Sequence, residues 1–184
     1  IPIIWGGPHA TFSPKIVEED YADAVCVGEG EEAVIEFANA FDSEGKKLPT
    51  KIANFWVKIN GKIYRNEVRP RNKSLDDLPY AARDLFLDKF PILKKHGIKH
   101  FIAHRGCPHK CSYCFNHTYN KMYLEQAGDK KVLFSRTPDS IVDEILWLKK
   151  NETIKMVQFV DDVFTVDKKW TLKFAKVYEK RCRI

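Results

Sequence analysis

Short apolar runs alternate with helix-like segments in the first quarter of the chain. Residues 1–5 and 24–27 are apolar runs typical of buried strands, and glycine-containing turns follow both. Ser13 and Pro14 are typical of a helix start, and residues 31–41 carry apolar side chains at helical spacing. This β-α-β-α order predicts the edge of an α/β domain, in which ligands bind beyond the carboxyl ends of the strands.

A hairpin and a polar connector follow. Residues 52–58 and 62–65 predict two strands joined by an Asn-Gly turn. Residues 66–82 are charged and contain proline, and we place a domain boundary in this connector. The acidic pair at 76–77 is predicted to serve turn and capping chemistry rather than to bind a metal.

The second half has the order strand, loop, helix, strand, helix. Helical character at residues 84–95 is interrupted by a proline and precedes a strand at 99–104. A helix opens at Thr137, a further strand covers 155–160, and Asp167 is predicted to cap the last helix. Both strands are followed by polar or cysteine side chains, so we expect the catalytic face of a parallel α/β barrel at their carboxyl ends.

The composition is that of a globular protein with one domain or two small ones. The chain has 184 residues, of which 44% are hydrophobic and 12% aromatic, enough for a core. Its net charge is +6, but lysine and arginine are interleaved with acidic residues and no groove-reading motif is present, which argues against nucleic acid as the main partner. A basic RNA-binding protein is kept as an alternative. No apolar run approaches the roughly 18 residues that a membrane span needs, so we expect none.

Both ends of the sequence lie within predicted elements. Residue 1 is an isoleucine inside a strand-like run without a basic leader, and residue 184 falls within helical spacing. We therefore expect the chain to be part of a longer protein.

The densest candidate chemistry lies in a cysteine-rich segment after the strand at 99–104. Cys107, Cys111 and Cys114 are three of the five cysteines, spaced C-x3-C-x2-C, and the polar stretch at 116–134 that follows predicts no clear element. An odd cysteine count with three clustered favours metal ligation in a reducing compartment, so we predict a cytoplasmic protein. Three thiolates would leave one position of a four-ligand centre open to a substrate or cofactor.

Two kinds of metal centre are compatible with these residue types. Zinc would need a fourth ligand, which His104, His109 or His117 could supply. The protein would then be a zinc-stabilised binding module. A [4Fe-4S] cluster on three thiolates would instead leave one iron free to bind a small molecule through an amine and a carboxylate. The residues by themselves leave both open.

The cysteine motif, with the aromatic Tyr113 before its last cysteine, resembles that of the radical S-adenosylmethionine (SAM) superfamily. Further segments resemble the cobalamin-dependent members of that superfamily. They are the end of a cobalamin-binding domain at 5–14 and 27–31, an interdomain linker at 75–79, and barrel segments at 134–138 and 159–164.

The resemblance implies an α/β fold in two parts joined by a connector. Residues 1–45 would be the C-terminal part of a Rossmann-like cobalamin-binding domain, and residues 46–83 a hairpin and linker. Residues 84–184 would be the first βα units of a partial TIM-like radical SAM barrel.

The resemblance also implies roles for the residues of the cysteine segment. Cys107, Cys111 and Cys114 would ligate a [4Fe-4S] cluster, and Tyr113 would lie near the adenine of bound SAM, with ordinary packing as its alternative role.

Four other residues would contact cofactors if the resemblance holds. Asp161 or Asp162 would lie near SAM, at a position where many members have a glycine-rich motif that this sequence lacks, and capping of the following turn is the alternative. Gly6 and Gly7 would approach the nucleotide tail of cobalamin.

The implied function is that of a radical SAM enzyme. Such an enzyme uses its reduced cluster to cleave SAM to methionine and a 5′-deoxyadenosyl radical, and with cobalamin it carries out methyl transfer or a radical rearrangement. The implied partners are a small-molecule substrate and an electron donor such as flavodoxin or ferredoxin. We expect the 184-residue chain by itself to be inactive, because its barrel cannot close.

Overall fold

The computed structural model describes residues 1–182, and it has the α/β composition that the pattern predicts. Helices and strands alternate along most of the chain, with two short 3-10 helices at Pro14–Glu18 and Leu75–Asp77. The remaining elements, in chain order, are β1 (Ile4–Trp5), α1 (Gly7–Phe12), β2 (Ala24–Cys26), α2 (Glu31–Ser43), β3 (Phe55–Ile59), β4 (Lys62–Arg65), α3 (Asp84–Leu87), α4 (Pro91–Lys95), β5 (Ile98–Phe101), β6 (His104–Arg105), α5 (Asn116–Ala127), β7 (Phe134–Ser135), α6 (Pro138–Asn151), β8 (Met156–Phe159) and α7 (Lys168–Arg181).

The chain forms two compact units, and neither is a single continuous segment. The first unit combines Ile1–Asn72 with Thr118–Lys130, which includes most of α5. The second unit combines Lys73–His117 with the residues from Lys131 onward.

The first unit contains a four-stranded sheet in the order β1-β2-β3-β4. β1 and β2 are parallel, whereas β2, β3 and β4 are antiparallel neighbours, so the predicted hairpin forms and extends this sheet. The first strand of the hairpin, β3, begins at Phe55 rather than at residue 52, because the backbone of Asn54 is left-handed (φ 73°) and interrupts the extended conformation. Asn60 and Gly61 also have positive φ, as the two central residues of a type I′ turn require.

The start of α1 differs from the sequence-based expectation. We predicted only a turn directly after the first strand, but an α-helix, α1, begins at Gly7, with Pro8 in its first turn. Proline is favoured there because its fixed φ suits the helix and its missing N–H would have no partner. The helix start predicted at Ser13 and Pro14 is also present, as the 3-10 helix Pro14–Glu18, although Ser13 makes no side-chain capping bond.

Three side chains hold the turn that follows β2. Gly28 donates its N–H to Thr11 Oγ1 (3.0 Å), and Glu29 donates its N–H to the hydroxyl of Tyr123 (2.7 Å). The buried amide of Asn54 donates to the carbonyl oxygen of Glu29 (3.3 Å). Because buried backbone groups need partners, these side chains fix the path of the turn.

Tyr123 lies on α5, the helix that the sequence pattern did not place. It is completely buried in a core shared with Val17, Val25 and Val27, and the Arg71 guanidinium stacks on its ring (4.6 Å). The buried face of α5 carries tyrosines between polar neighbours, so it lacks the aliphatic stripe from which helices are predicted.

The second unit is organised around the parallel pair β5 and β8, with α6 and α7 packed against it. The predicted helix stripe of Ile141, Ile145 and Leu148 is buried in this core. The predicted caps also form: Thr137 accepts from the N–H of Ser140, and Asp167 accepts from the first N–H groups of α7.

The part of the connector from Lys73 onward packs within the second unit. Asp76 accepts the N–H of Thr137 at the start of α6 (3.0 Å), so one carboxylate of the acidic pair is used within the protein. Tyr80 packs against Trp147 of α6, with 5.5 Å between ring centroids. Arg83 forms an ion pair with the buried carboxylate of Glu144 (3.2 Å), so polar and aromatic contacts attach this connector along α6.

Replacement of Gly28 tests the role of Tyr123 in the first unit. Gly28 has φ +83°, and an added Cβ would lie 2.4 Å from the Tyr123 hydroxyl. We expect Gly28→Ala to lower the free energy of unfolding by about 2–4 kcal/mol, from backbone strain plus the steric collision. Urea unfolding of the chain measures this loss.

Gly45→Ala is the matched control, because Gly45 also has positive φ (+68°) but no atom lies within 4 Å of its added Cβ. It should cost only the backbone term, about 1–2 kcal/mol. Equal losses for the two variants would contradict a specific contact between the turn and Tyr123.

Candidate functional site

The three clustered cysteines lie on the loop between β6 and α5, which we call the cysteine loop (residues 106–115). The loop leaves β6 through Gly106, whose φ is +84°. A Cβ at this position would lie 2.3 Å from the backbone oxygen of Val132, so only glycine fits without displacing the chain next to β7. The glycine before the first cysteine therefore allows the strand to turn into the loop.

The three cysteines form no disulfide and differ in exposure. Cys107 is buried, Cys114 is half-buried and Cys111 is exposed. The N–H of Cys114 donates to the carbonyl oxygen of Cys111 (3.1 Å), which makes the second half of the motif a tight turn. The side-chain amide of Asn116, at the start of α5, donates to Cys114 Sγ (3.5 Å).

The chemistry of these donors fits an iron–sulfur cluster. Within residues 1–182, no three His, Cys, Asp or Glu side chains are gathered around a point where a metal ion would fit. The fit therefore rests on donor type: three thiols on one short loop, none of them in a disulfide, are the ligands that iron–sulfur clusters use.

The other two cysteines do not belong to this group. Cys26 lies in β2 of the first unit, where burial, followed by the nearby carboxylate of Glu31, raises the pKa of its thiol to about 11. Burial also raises the pKa of Cys182 at the end of α7. Both thiols therefore behave as small buried hydrophobic groups, as the apolar context of Cys26 predicted.

Asp161 holds the strand that leads into the cysteine loop. Its carboxylate is fully buried and accepts hydrogen bonds from the backbone N–H of Ala103 (3.0 Å) and from that of His104. It also contacts Nδ1 of the His104 ring (2.9 Å). Thus this carboxylate, which follows β8, fixes the backbone between β5 and β6.

His104 completes this buried pair. Its ring packs edge-on against Trp170 (4.4 Å between centroids) and Phe164 (6.1 Å). Nε2 has no hydrogen-bond partner in the described part of the chain, and the same holds for the buried Nδ1 of His117. Of the three histidines considered as zinc ligands, His109 is the exposed one.

The remaining candidate residues fall into two groups. Tyr113 (92% exposed) lies on the cysteine loop and Asp162 is an exposed neighbour of Asp161, so these two belong to the second unit with the cysteines. Gly6 and Gly7 lie at the start of α1 in the first unit. Gly7 has φ +83°, and no atom lies within 4 Å of the place that a Cβ would occupy, so the backbone there is open to close approach.

Sequence reasoning missed one residue that contacts the cysteine loop. Asn116 follows the last cysteine by two positions, and this proximity was the only signal for its contact with a thiol.

Comparison with known proteins identifies the family of residues 101–184. The family model for the radical SAM superfamily matches residues 101–184, which begin at the end of β5 and contain the cysteine loop. This segment belongs to the radical SAM superfamily.

Among the helices within residues 1–182, none combines the length and apolar character needed to cross a membrane.

Two curated relatives match the radical SAM segment together with the residues before it. An uncharacterised methyltransferase of Pyrococcus horikoshii is 31% identical in an alignment of 173 positions that covers 91% of this chain and 34% of the relative. The anaerobic magnesium-protoporphyrin IX monomethyl ester cyclase of Rubrivivax gelatinosus is 27% identical in an alignment of 188 positions, gaps included, that covers 98% of this chain and 32% of the relative. The chain thus spans about a third of the length of the curated relatives it matches.

Solved structures of radical SAM enzymes share the fold. The radical SAM methyltransferase TsrM of Kitasatospora setae, solved with its tryptophan substrate and a SAM analogue, has a TM-score of 0.65 at 19% identity, over 98% of this chain and 33% of TsrM. The cobalamin-dependent SAM radical enzyme OxsB, solved with aqua-cobalamin and SAM, has a TM-score of 0.70 at 16% identity, over 98% of this chain and 24% of OxsB. None of these matches supports the zinc-binding alternative.

Replacement of Asp161 tests its structural role in this radical SAM segment. Asp161→Asn leaves one acceptor oxygen where two served several donors, and its amide N–H faces buried N–H groups. We expect the free energy of unfolding to fall by about 2–4 kcal/mol, because buried donors lose their charged acceptor. Chemical denaturation of the chain checks this value.

Asp162→Asn provides the matched control, since it makes the same chemical change at the exposed neighbour. It should alter stability by no more than about 0.5 kcal/mol. If Asp161→Asn were equally mild, the carboxylate would not be what holds the start of the cysteine loop.

Proposed function

We propose that this chain carries the cluster-binding segment of a cobalamin-dependent radical SAM enzyme. The observation that carries the proposal is the set of three thiols on the cysteine loop, within a segment that belongs to the radical SAM superfamily. Cys107, Cys111 and Cys114 would hold a [4Fe-4S] cluster, with one iron left for SAM.

A cluster bound there would supply the electron that cleaves SAM to methionine and a 5′-deoxyadenosyl radical. Other residues of this chain would set the backbone conformation of the loop that holds the cluster. Gly106 allows the sharp turn into the loop, and Asp161 with His104 fixes the backbone before that turn. Tyr113 would pack near the adenine of SAM. Because the carboxylate of Asp161 is already used within the protein, Asp162 is the member of the acidic pair that would face the cofactor.

We also propose that the first unit includes part of a cobalamin-binding domain. Gly6 and Gly7 would allow the nucleotide tail to approach the backbone, and the open space beside Gly7 supports this. The fold shared with OxsB, which was solved with aqua-cobalamin and SAM, is a second support. In this proposal, residues 1–45 end a Rossmann-like domain, 46–83 are a hairpin and linker, and 84–184 begin a partial TIM-like barrel.

The reaction class follows from the named relatives. A methyltransferase and a ring-forming cyclase among them support methyl transfer or a radical rearrangement on a small-molecule substrate. Reduction of the cluster would come from a one-electron donor such as flavodoxin or ferredoxin. In this proposal the clustered thiols serve as metal ligands in a reducing, cytoplasmic setting.

Reconstitution with iron and sulfide under anaerobic conditions tests the proposal. We expect the chain to bind about four irons and four sulfides and to show a broad visible absorbance that dithionite bleaches. Cys107→Ala should remove most of the bound iron and this absorbance, because the two remaining thiolates cannot hold the cluster. Metal analysis and absorption spectra provide both measurements.

Cys26→Ala is the control, since it removes a buried thiol that lies in β2 of the first unit. Its cluster content should equal that of the unaltered chain. A colourless protein that holds one equivalent of zinc would refute the cluster assignment and support the alternative of a zinc-stabilised binding module.

A further inference from the structure

The side chain of Asn116 is placed to interact with a predicted cluster ligand. Asn116 is the first residue of α5 and is only 6% exposed. Its amide nitrogen lies 3.5 Å from Cys114 Sγ and donates a hydrogen bond to it. A buried amide is costly without a partner, so this contact with sulfur satisfies a group that would otherwise destabilise the loop.

The local backbone explains why the amide faces the sulfur. The hydrogen bond from Cys114 N–H to the Cys111 carbonyl closes a turn, and α5 begins two residues later. A side chain at the first helical position points back along the helix, toward the residues before it. The spacing of two residues between cysteine and asparagine therefore brings the donor to the thiol.

We propose that Asn116 raises the reduction potential of the cluster through its hydrogen bond to the Cys114 sulfur. The inference rests on the proposed function, because it requires the cysteine loop to hold a [4Fe-4S] cluster. It adds to that function a positioning residue that acts through a ligand rather than by contact with SAM.

The sign of the effect follows from charge. Reduction adds one electron, supplied by a one-electron donor protein or by dithionite, and no bond is made or broken. The added negative charge is shared by the cluster and its thiolate sulfurs, so an N–H donor stabilises the reduced form more than the oxidised form. The positive end of α5 beside Cys114 acts in the same direction, and both effects make reduction easier.

A redox titration of the reconstituted chain tests the proposal. Mediator dyes set the potential, and electron paramagnetic resonance measures the fraction of reduced cluster. For Asn116→Leu, which removes the donor at similar size, we expect the equilibrium constant for reduction to fall about tenfold, which is ~59 mV for one electron. Asn116→Asp, which also adds negative charge, should lower it further. Ser112→Ala, an exposed change on the same loop, should leave the potential unchanged.

A second measurement needs no substitution of Asn116 and so does not depend on the folding of a variant. The unaltered chain is labelled with ¹⁵N in its asparagine side chains, and pulsed electron paramagnetic resonance records the coupling of this nitrogen to the reduced cluster. We expect a resolved coupling, because a hydrogen bond to a cluster sulfur places the amide nitrogen within reach of the unpaired electron.

The outcomes separate this inference from the proposed function. If the unaltered chain binds no cluster, the proposed function fails and this inference fails with it. If the cluster binds but Asn116→Leu keeps the original potential, or no ¹⁵N coupling is found, only the inference is overturned. A lower potential for Asn116→Leu together with the coupling supports it.

Discussion

The cysteine loop depends on one buried carboxylate. Asp161 comes after β8, yet its hydrogen bonds go to the backbone N–H groups of Ala103 and His104, 58 and 57 positions earlier in the chain. A carboxylate that accepts several N–H bonds away from water fixes its partners more firmly than neutral acceptors do. The parallel pairing of β5 with β8 brings the two segments together, and the carboxylate then sets where the chain leaves β5 for the cysteines.

The loop itself is constrained at both of its ends. At the first end, Gly106 has positive φ and lies close to the backbone of Val132. A side chain at this position would collide with that backbone. At the other end, the turn from Cys111 to Cys114 leads directly into α5, and Asn116 reaches back to the last thiol. Between these ends, the side chains of Cys111 and Tyr113 are exposed. The loop therefore has a constrained backbone at its ends and solvent-accessible side chains in its middle.

Local patterns in the sequence predicted the elements with aliphatic periodicity and clear caps, such as α6 with Thr137 and its buried stripe. They also singled out the three cysteines, whose spacing is a local property. They did not place α5, because Tyr123 is buried among polar neighbours and shows no stripe. The hydrogen bond between Asp161 and the backbone of Ala103 could not be predicted either, because a contact across 58 positions depends on strand pairing rather than on neighbouring residues. The cofactor roles of the three cysteines stay predictions, as do those of Tyr113, Asp161, Asp162, Gly6 and Gly7.

The path of α5 has a consequence for the order in which the chain matures. Tyr123 is one of the buried residues of a core in the first unit, and the other buried residues of that core all precede Asn72. A nascent chain that has been synthesised only as far as Asn72 therefore lacks one of these buried side chains. The first unit acquires Tyr123 only after the three cysteines have been synthesised, so this core is completed after the cysteine loop has emerged.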